Sequence, residues 1–447
     1  MPSPSAAPPR PAGAPVARED LARRLRATRA HTLALARPLS AEDQVAQAMP
    51  DASPTKWHLA HTTWFFEVVV LQPHAPGYRP RDERLGRLFN SYYESLGPRH
   101  PRPQRGLLTR PPLAEVLAWR EEVDAALDAL VAGCGDAAWP EVAALLELGL
   151  QHEQQHQELI LTDILALLAM HPLAPAYRAP ASAPPAAADT GAADPRWGPP
   201  GWWDCPGGEV ELGHDPREGF GFDNESPRHR VRLAPFSIAR GLVTNRQWQA
   251  FIDEGGYRQP RWWLSDGWAA VQAGGWEAPL YWRRDEGGWC AFGLDGQQPL
   301  VPDAPVCHLS FYEAAAYAAW AGARLPTEFE WESAARALGV APPGDAALAP
   351  AVLRPPVRRS EADLQCFGAV WQWTRSSYDP YPGFRPWAGT VEEYNGKFMV
   401  GQLVLRGSSV ATPPGHARVS YRNFFPPGAR WQFSGLRLAR DLEAPGA

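Results

Sequence analysis

The chain has few cysteines and no CxxC pair: Cys134, Cys205, Cys290, Cys307 and Cys366 are an odd count scattered over 447 residues. That scatter argues against a disulfide framework and against a structural zinc site, and it suits a reducing cytoplasm. Long apolar runs are missing too. Nothing approaches the roughly 18 consecutive apolar residues of a membrane-spanning helix, so no membrane span is expected. The opening stretch, MPSPSAAPPRPAGAPV (residues 1–16), holds too much proline and too few apolar side chains for a signal-peptide core and reads as a disordered tail. Nor is either charge in large excess. A net charge of -6, with 21% charged and 45% hydrophobic residues, is typical of a soluble globular protein, and nucleic acid binding is disfavoured.

What the chain has in quantity is tryptophan, 20 in all and mostly after residue 196. That asymmetry implies two different folds, as does a length beyond what one hydrophobic core ordinarily serves. From residue 17 to 178 apolar residues recur three and four apart, in LARRLRATRAHTLALA, PTKWHLAHTTWFFEVVVL and LAEVLAWREEVDAALDALV, and a fourth such segment runs from Pro140 to Met170. Pro140 suits a first helical position, and His171-Pro172 stops the run because a proline ring clashes with a continuing helix. Four helices imply a bundle, whose interior commonly carries metal ligands on facing helices. Residues 179–200 are rich in Ala, Pro and small polar residues without periodicity, so they read as a semi-stiff spacer. Beyond it, over 201–443, short apolar runs are broken by Gly, Pro, Asn and Asp, with helices expected in YEAAAYAAWAGA and TEFEWESAARAL. The fold class expected is α+β: a helical bundle, then a mixed, strand-poor, loop-rich domain.

Within the fourth helical segment, HEQQH puts His152 and His156 at i and i+4, one turn apart on one face, where two imidazoles can grip one cation. An isolated pair of this kind is often a surface feature. Here the flanks LLELGL and LILTDILALLAM are apolar, so one face of the helix is buried, and buried imidazoles need partners. A third ligand comes from WHLAHTTWFFE on the second helix, where His61 and His58 are rivals three residues apart. Three neutral imidazoles leave coordination positions open, as a metal that binds both substrate and O2 requires; zinc with a hydrolytic water is the competing choice. Glu153 formally completes an HExxH zincin motif, but no downstream zincin ligand is evident.

Several ordered strings, SPTKWHLAHTTWFFE, LFNSYYESLG, HPRPQRGLLTRP, LGLQHEQQHQEL, FDNESPRH, RLPTEFEWE, EYNGKFM and YRNFFPPGARWQFSGLRLAR, resemble the ergothioneine-synthesis sulfoxide synthases (EgtB) over nearly the whole chain. That family joins a DinB-like four-helix bundle to a domain similar to the formylglycine-generating enzyme, which has a C-type-lectin-like fold. The resemblance implies an Fe(II) enzyme that uses O2 to join a sulfur donor to C2 of the imidazole of N-trimethylhistidine (hercynine), giving a sulfoxide. It makes His61, His152 and His156 the iron ligands and so selects His61 over His58. It also implies Tyr93 as the donor of a proton or hydrogen atom, with Tyr92 beside it, and Gln155 as a hydrogen-bond partner of the acceptor imidazole. Asn423, Phe424 and Phe425 match the segment that holds the betaine, where aromatic faces attract a quaternary ammonium. Arg102 and Arg105 are candidate clamps for the donor carboxylate, through the paired hydrogen bonds a guanidinium offers.

The donor stays open among cysteine, γ-glutamylcysteine and, as in the similar selenoneine synthases, a selenosugar. RGSSV, ending at Val410, differs from the RGGSC of common relatives, whereas SYYE leans toward cysteine users. YRNFF carries no cysteine where the formylglycine-generating enzyme has its reactive pair, so sulfatase maturation is not expected. Trp331, Trp371 and Trp373 are expected to fill the core. The reading from another class is a non-catalytic module that binds a ligand through its aromatics; a zinc hydrolase is the third.

Overall fold

The computed structural model describes residues 17–93, 95, 97–179, 201–344, 353–358, 360, 362–387 and 395–442. The expected tail at 1–16, all of the expected spacer except residue 179, and residue 443 lie outside them. The chain divides into two compact units: Met1–Leu173 with Asp215–Asn224 and Phe384–Lys397, and Ala174–His214 with Glu225–Gly383 and Phe398–Ala447. Two short segments from far along the chain thus join the helical unit, and no local pattern within them announces it.

The helical unit contains α1 (Arg18–Ala36), α2 (Thr55–Phe65), α3 (Gln72–His74), α4 (Arg84–Phe89), α5 (Leu113–Gly133) and α6 (Trp139–Met170). The long ones, α1, α2, α5 and α6, are the four expected from periodicity. α6 starts one residue before the position anticipated for Pro140, which still falls in the first turn, where its missing N–H costs nothing. Between α2 and α3 the chain runs as a π-helix, Phe66–Leu71, a widening of the helical turn that recurs at functional sites. Its Phe66 ring occupies the space beside Gly149 of α6: a Cβ there would lie 2.4 Å from Phe66 Cε1. The bundle interior also holds a buried charge cluster. Glu153, fully buried, accepts from Thr32 Oγ1 (2.6 Å), Arg29 Nη1 (3.0 Å) and Arg120 Nη2, tying α1 and α5 to α6. Burial alone would raise the Glu153 pKa, but the two guanidiniums and the Thr32 hydroxyl outweigh it and hold the carboxyl down at about 2.

The second unit contains, in chain order, β1 (Trp202–Cys205), β2 (Gly208–Leu212), β3 (His229–Leu233), β4 (Phe236–Ala239), α7 (Asn245–Asp253), α8 (Ser265–Gly274), β5 (Trp282–Asp285), β6 (Gly288–Gly293), β7 (Gly296–Pro299), α9 (Phe311–Trp320), α10 (Glu328–Ala337), β8 (Trp371–Ser377), β9 (Leu403–Gly407), β10 (Asn423–Phe425), β11 (Ser434–Gly435) and β12 (Ala439–Asp441). They form four small sheets: β1-β4-β12, β10-β9-β8-β11, β2-β3 and β5-β6-β7. Twelve strands among the described residues exceed the strand-poor expectation; most span only two to five residues, too short for alternation to register. α9 and α10 are the two helices expected, each opened by a capping box, Ser310 with Glu313 and Thr327 with Glu330. α7 has one as well, Thr244 with Gln247, a signal present in TNRQ and passed over. Trp331, Trp371 and Trp373 are buried as expected, and the indole N–H groups of Trp331 and Trp373 donate to Gln372 Oε1 (2.7 Å) and to the Leu309 carbonyl (2.8 Å). Arg422 makes a bidentate pair with Glu328 of α10 (2.8 and 2.9 Å), which anchors the start of β10. All five cysteines are free, and no described helix is long and apolar enough to cross a membrane.

Candidate metal centre

His61 projects from α2 as the filling of an aromatic sandwich. Trp57 and Trp64, four residues before and three after it, lie on the same helical face and flank its ring at centroid distances of 4.5 and 5.4 Å, each within 14° of parallel. Its Nδ1 lies 2.6 Å from the Phe89 carbonyl, which can only accept, so the proton sits on Nδ1. Nε2 is then a bare lone pair, buried and without a hydrogen-bond partner. On α6, His152 and His156 stand one turn apart, and one ring nitrogen from each of the three histidines lies within 4.8 Å of the others.

Electrostatics favour neutral rings here. Burial drives the pKa values of His61, His152 and His156 down, His152 to about 3; proximity to another imidazole adds to the effect at each. Three neutral imidazoles with a converging, unprotonated nitrogen are the donor set of a divalent transition metal, and one orphaned buried nitrogen is a cost that such an ion removes. The residues present therefore fit a bound metal. Their chemistry suits iron as well as zinc.

His58, the rival at the sequence level, is outside this cluster. Its Nδ1 lies 2.8 Å from His156 Nδ1 and its Nε2 lies 3.1 Å from Asp163 Oδ2, so it stands behind His156. Neither the His58–Asp163 contact nor the Trp57–His61–Trp64 stack was anticipated. The WHLAHTTW spacing carries the signal for the stack; nothing local pairs His58 with a residue 105 positions away.

Tyr93 is fully buried, its hydroxyl included. Its ring lies 5.7 Å from Trp64, and Tyr92, half-buried, stacks on it at 4.6 Å. Rings therefore run in contact from His61 through Trp64 to Tyr93. Asn90 shapes this loop by accepting from Tyr93 N (3.1 Å) and donating to Tyr93 O (2.8 Å), while Lys397 Nζ donates to Tyr92 O (2.9 Å). Gln155, next to His156, is half-buried on α6.

The two arginines differ. Arg102 is exposed and donates to the Asp51 carbonyl. Arg105 is only 4% exposed, with its guanidinium 3.4 Å from the centroid of Trp57 and donating to Ser53 Oγ (2.8 Å) and Ser91 Oγ (3.1 Å). Burial, with Arg102 nearby, lowers its pKa, and its Nε–H is buried without a partner. A cation so placed favours an anionic ligand.

In the second unit, Asn423, Phe424 and Phe425 are half-buried on β10, antiparallel to β9. One face of Phe424 stacks on Tyr378 at 4.0 Å, and Phe398 lies 5.9 Å away. Asn423 Oδ1 accepts from the Phe424 N–H (2.9 Å). Val410 is buried.

Comparison with known proteins finds a different family in each half of the chain. Residues 24–160 match the DinB superfamily, and residues 192–346 and 357–442 match the sulfatase-modifying factor enzyme 1-like domain. A protein of Mycobacterium tuberculosis named hercynine oxygenase is 40% identical over 95% of this chain and 99% of its own length. Another of that name, from Mycolicibacterium smegmatis, is 37% identical over 96% of this chain and 100% of its own. The formylglycine-generating enzyme of Thermomonospora curvata is 38% identical over only 29% of this chain. With that identity sustained over almost the full length of both chains, and with both halves of the architecture present, this chain belongs to the EgtB-type hercynine oxygenase family.

Proposed function

We propose that the chain is an Fe(II)- and O2-dependent enzyme that acts on hercynine, forming a bond between C2 of its imidazole and the sulfur of a thiol donor, cysteine or γ-glutamylcysteine, to give a sulfoxide. Two hercynine oxygenases align with it nearly end to end. The observation that carries the reading is the buried cluster of His61, His152 and His156. Bound there, Fe(II) would supply redox chemistry toward O2 and open positions at which donor and acceptor meet.

The chain's own residues have separable tasks. His61, His152 and His156 offer unprotonated nitrogens in a buried setting that excludes bulk water. Tyr93 Oη delivers a proton, helped by a loop that Asn90 holds in place. Gln155 orients the acceptor imidazole by hydrogen bonding. Arg105, with Arg102 beside it, binds the donor carboxylate, an anion that would occupy the buried Nε–H. Asn423, Phe424 and Phe425 recognise the trimethylammonium end of hercynine, the aromatic faces through cation–π attraction.

The test is anaerobic loading with Fe(II), addition of O2 and hercynine, and mass spectrometry of products with cysteine, γ-glutamylcysteine and a selenosugar competing as donors. A hercynyl sulfoxide is expected, with none from a His156→Ala chain purified without iron. A selenium adduct as main product would move the chain to selenoneine synthesis. Turnover with zinc and no oxygen uptake would favour a hydrolase, and hercynine binding without any product would favour a non-catalytic module.

A further inference from the structure

Resting on the three-histidine reading above, we infer that His58 and Asp163 form a positioning pair that aims the Nε2 lone pair of His156 at the metal. His58 lies three residues before His61 on α2, and Asp163 lies seven after His156 on α6, so each shares a helical face with a proposed ligand. Both are buried, at 2% and 6% exposure. The contacts form one chain: Ser53 N–H to Asp163 Oδ2 (2.8 Å), Asp163 Oδ2 to His58 Nε2 (3.1 Å), and His58 Nδ1 to His156 Nδ1 (2.8 Å).

The direction of that chain follows from its carboxylate end. An ionised carboxylate only accepts, so His58 carries its proton on Nε2 and presents a lone pair at Nδ1. His156 must then donate through Nδ1, which leaves its Nε2 unprotonated. The reverse arrangement, His58 donating through Nδ1, would put a proton on His156 Nε2 and spoil it as a ligand. His61 reaches the same tautomer by a shorter route, donating Nδ1–H to the Phe89 carbonyl. Two ligands from two helices are thus held in one protonation pattern, one by a backbone carbonyl and one by a histidine backed by a carboxylate. Such outer partners fix ring orientation and raise ligand basicity, and losing one typically weakens metal binding about 10- to 100-fold.

The experiment is anaerobic Fe(II) titration of the full chain, paired with the visible ligand-field spectrum of the Co(II)-loaded protein and its thermal midpoint without metal. His58→Leu is expected to bind Fe(II) about 10- to 100-fold more weakly and to shift the Co(II) bands in a chain that stays folded without metal, at a lowered midpoint because Asp163 and His156 Nδ1–H each lose a buried partner. His58→Gln, whose side-chain carbonyl can accept from His156 Nδ1–H, is expected to recover most of the affinity. A folded His58→Leu chain with wild-type affinity and an unchanged Co(II) spectrum would overturn the inference and leave the three-histidine reading standing. If that chain does not fold, Asp163→Asn decides: it keeps an acceptor and loses the charge, so several-fold weaker binding supports the pair, and unaltered binding overturns it. A wild-type chain that takes up no Fe(II) would sink the three-histidine reading itself.

Discussion

A single ring can carry several constraints, and His61 shows how. Its helix stacks it between Trp57 and Trp64, the Phe89 carbonyl fixes its tautomer, and the Nε2 lone pair is what remains for a cation. Tyr93 is constrained in the same manner, fully buried against Trp64 in a loop closed by Asn90. Removing only its hydroxyl tests the proposed proton delivery without opening a cavity. Tyr93→Phe is expected to retain Fe(II) and hercynine binding while product formation in a single turnover falls by about 100-fold, the low end of what a positioned acid contributes. Wild-type product yield from that variant would take the tyrosine out of the scheme. At this scale the i, i+4 pair on α6 was legible, because helical spacing alone sets its geometry. Helical spacing could not choose between His58 and His61: three residues apart on α2, they differ only in what lies opposite each, so the choice rested on the family resemblance until the fold brought His61 to the pair. The burial of Arg105 was equally hidden, since a loop arginine in HPRPQR reads as solvated until Trp57, Ser53 and Ser91 close around it.

Between elements, one close contact of α6 with the π-helical turn after α2 is a glycine facing an aromatic ring. Gly149 lies three residues before His152, and the π-helical Phe66 follows His61 by five, so this packing sits beside the proposed ligands on both elements. An alanine methyl would collide with Phe66 at 2.4 Å. Gly149→Ala is expected to destabilise the chain by about 1–3 kcal/mol in chemical denaturation, the usual cost of overpacking. The double change Gly149→Ala, Phe66→Leu should recover part of that loss, whereas equal stability of the wild type and Gly149→Ala would mean the bundle adjusts freely. Periodicity identified α1, α2, α5 and α6 because each is long enough to show a buried stripe. It did not show the π-helical turn, which depends on how Phe66 meets α6, nor most of the short strands, which span too few residues to alternate visibly.

For the molecule as a whole, buried ion pairs make stability depend on pH. Glu225 is fully buried in the second unit; burial works to raise its pKa, but Arg418, bonded at 2.7 Å, together with Ser420 at 2.6 Å, outweighs it and lowers the pKa below its ordinary value. A carboxyl with a depressed folded pKa contributes stability in full above its unfolded value and loses it as pH falls through the folded one. Denaturation midpoints are therefore expected to drop as pH is lowered below 4.5, the ordinary value for this group. Glu225→Gln should be less stable than wild type at neutral pH, because Arg418 loses its counter-charge, and should show a shallower decline below that pH. Parallel pH curves for the two proteins would assign the acid sensitivity to other groups.

Local order in the sequence determined the helices α1, α2, α5, α6, α9 and α10, the paired histidines of α6 and the division into a helical and a mixed half, because hydrophobic period and turn chemistry act over a few residues. Helical spacing left His61 and His58 equal, and the family resemblance together with the tertiary structure brought His61 to that pair; the tertiary structure alone decided that Asp163 stands behind His58, and that Asp215–Asn224 and Phe384–Lys397 pack with the helical unit. The His58 contacts with His156 and Asp163 span 98 and 105 residues of chain. They are settled by which surfaces bury one another, and no short-range pattern encodes that.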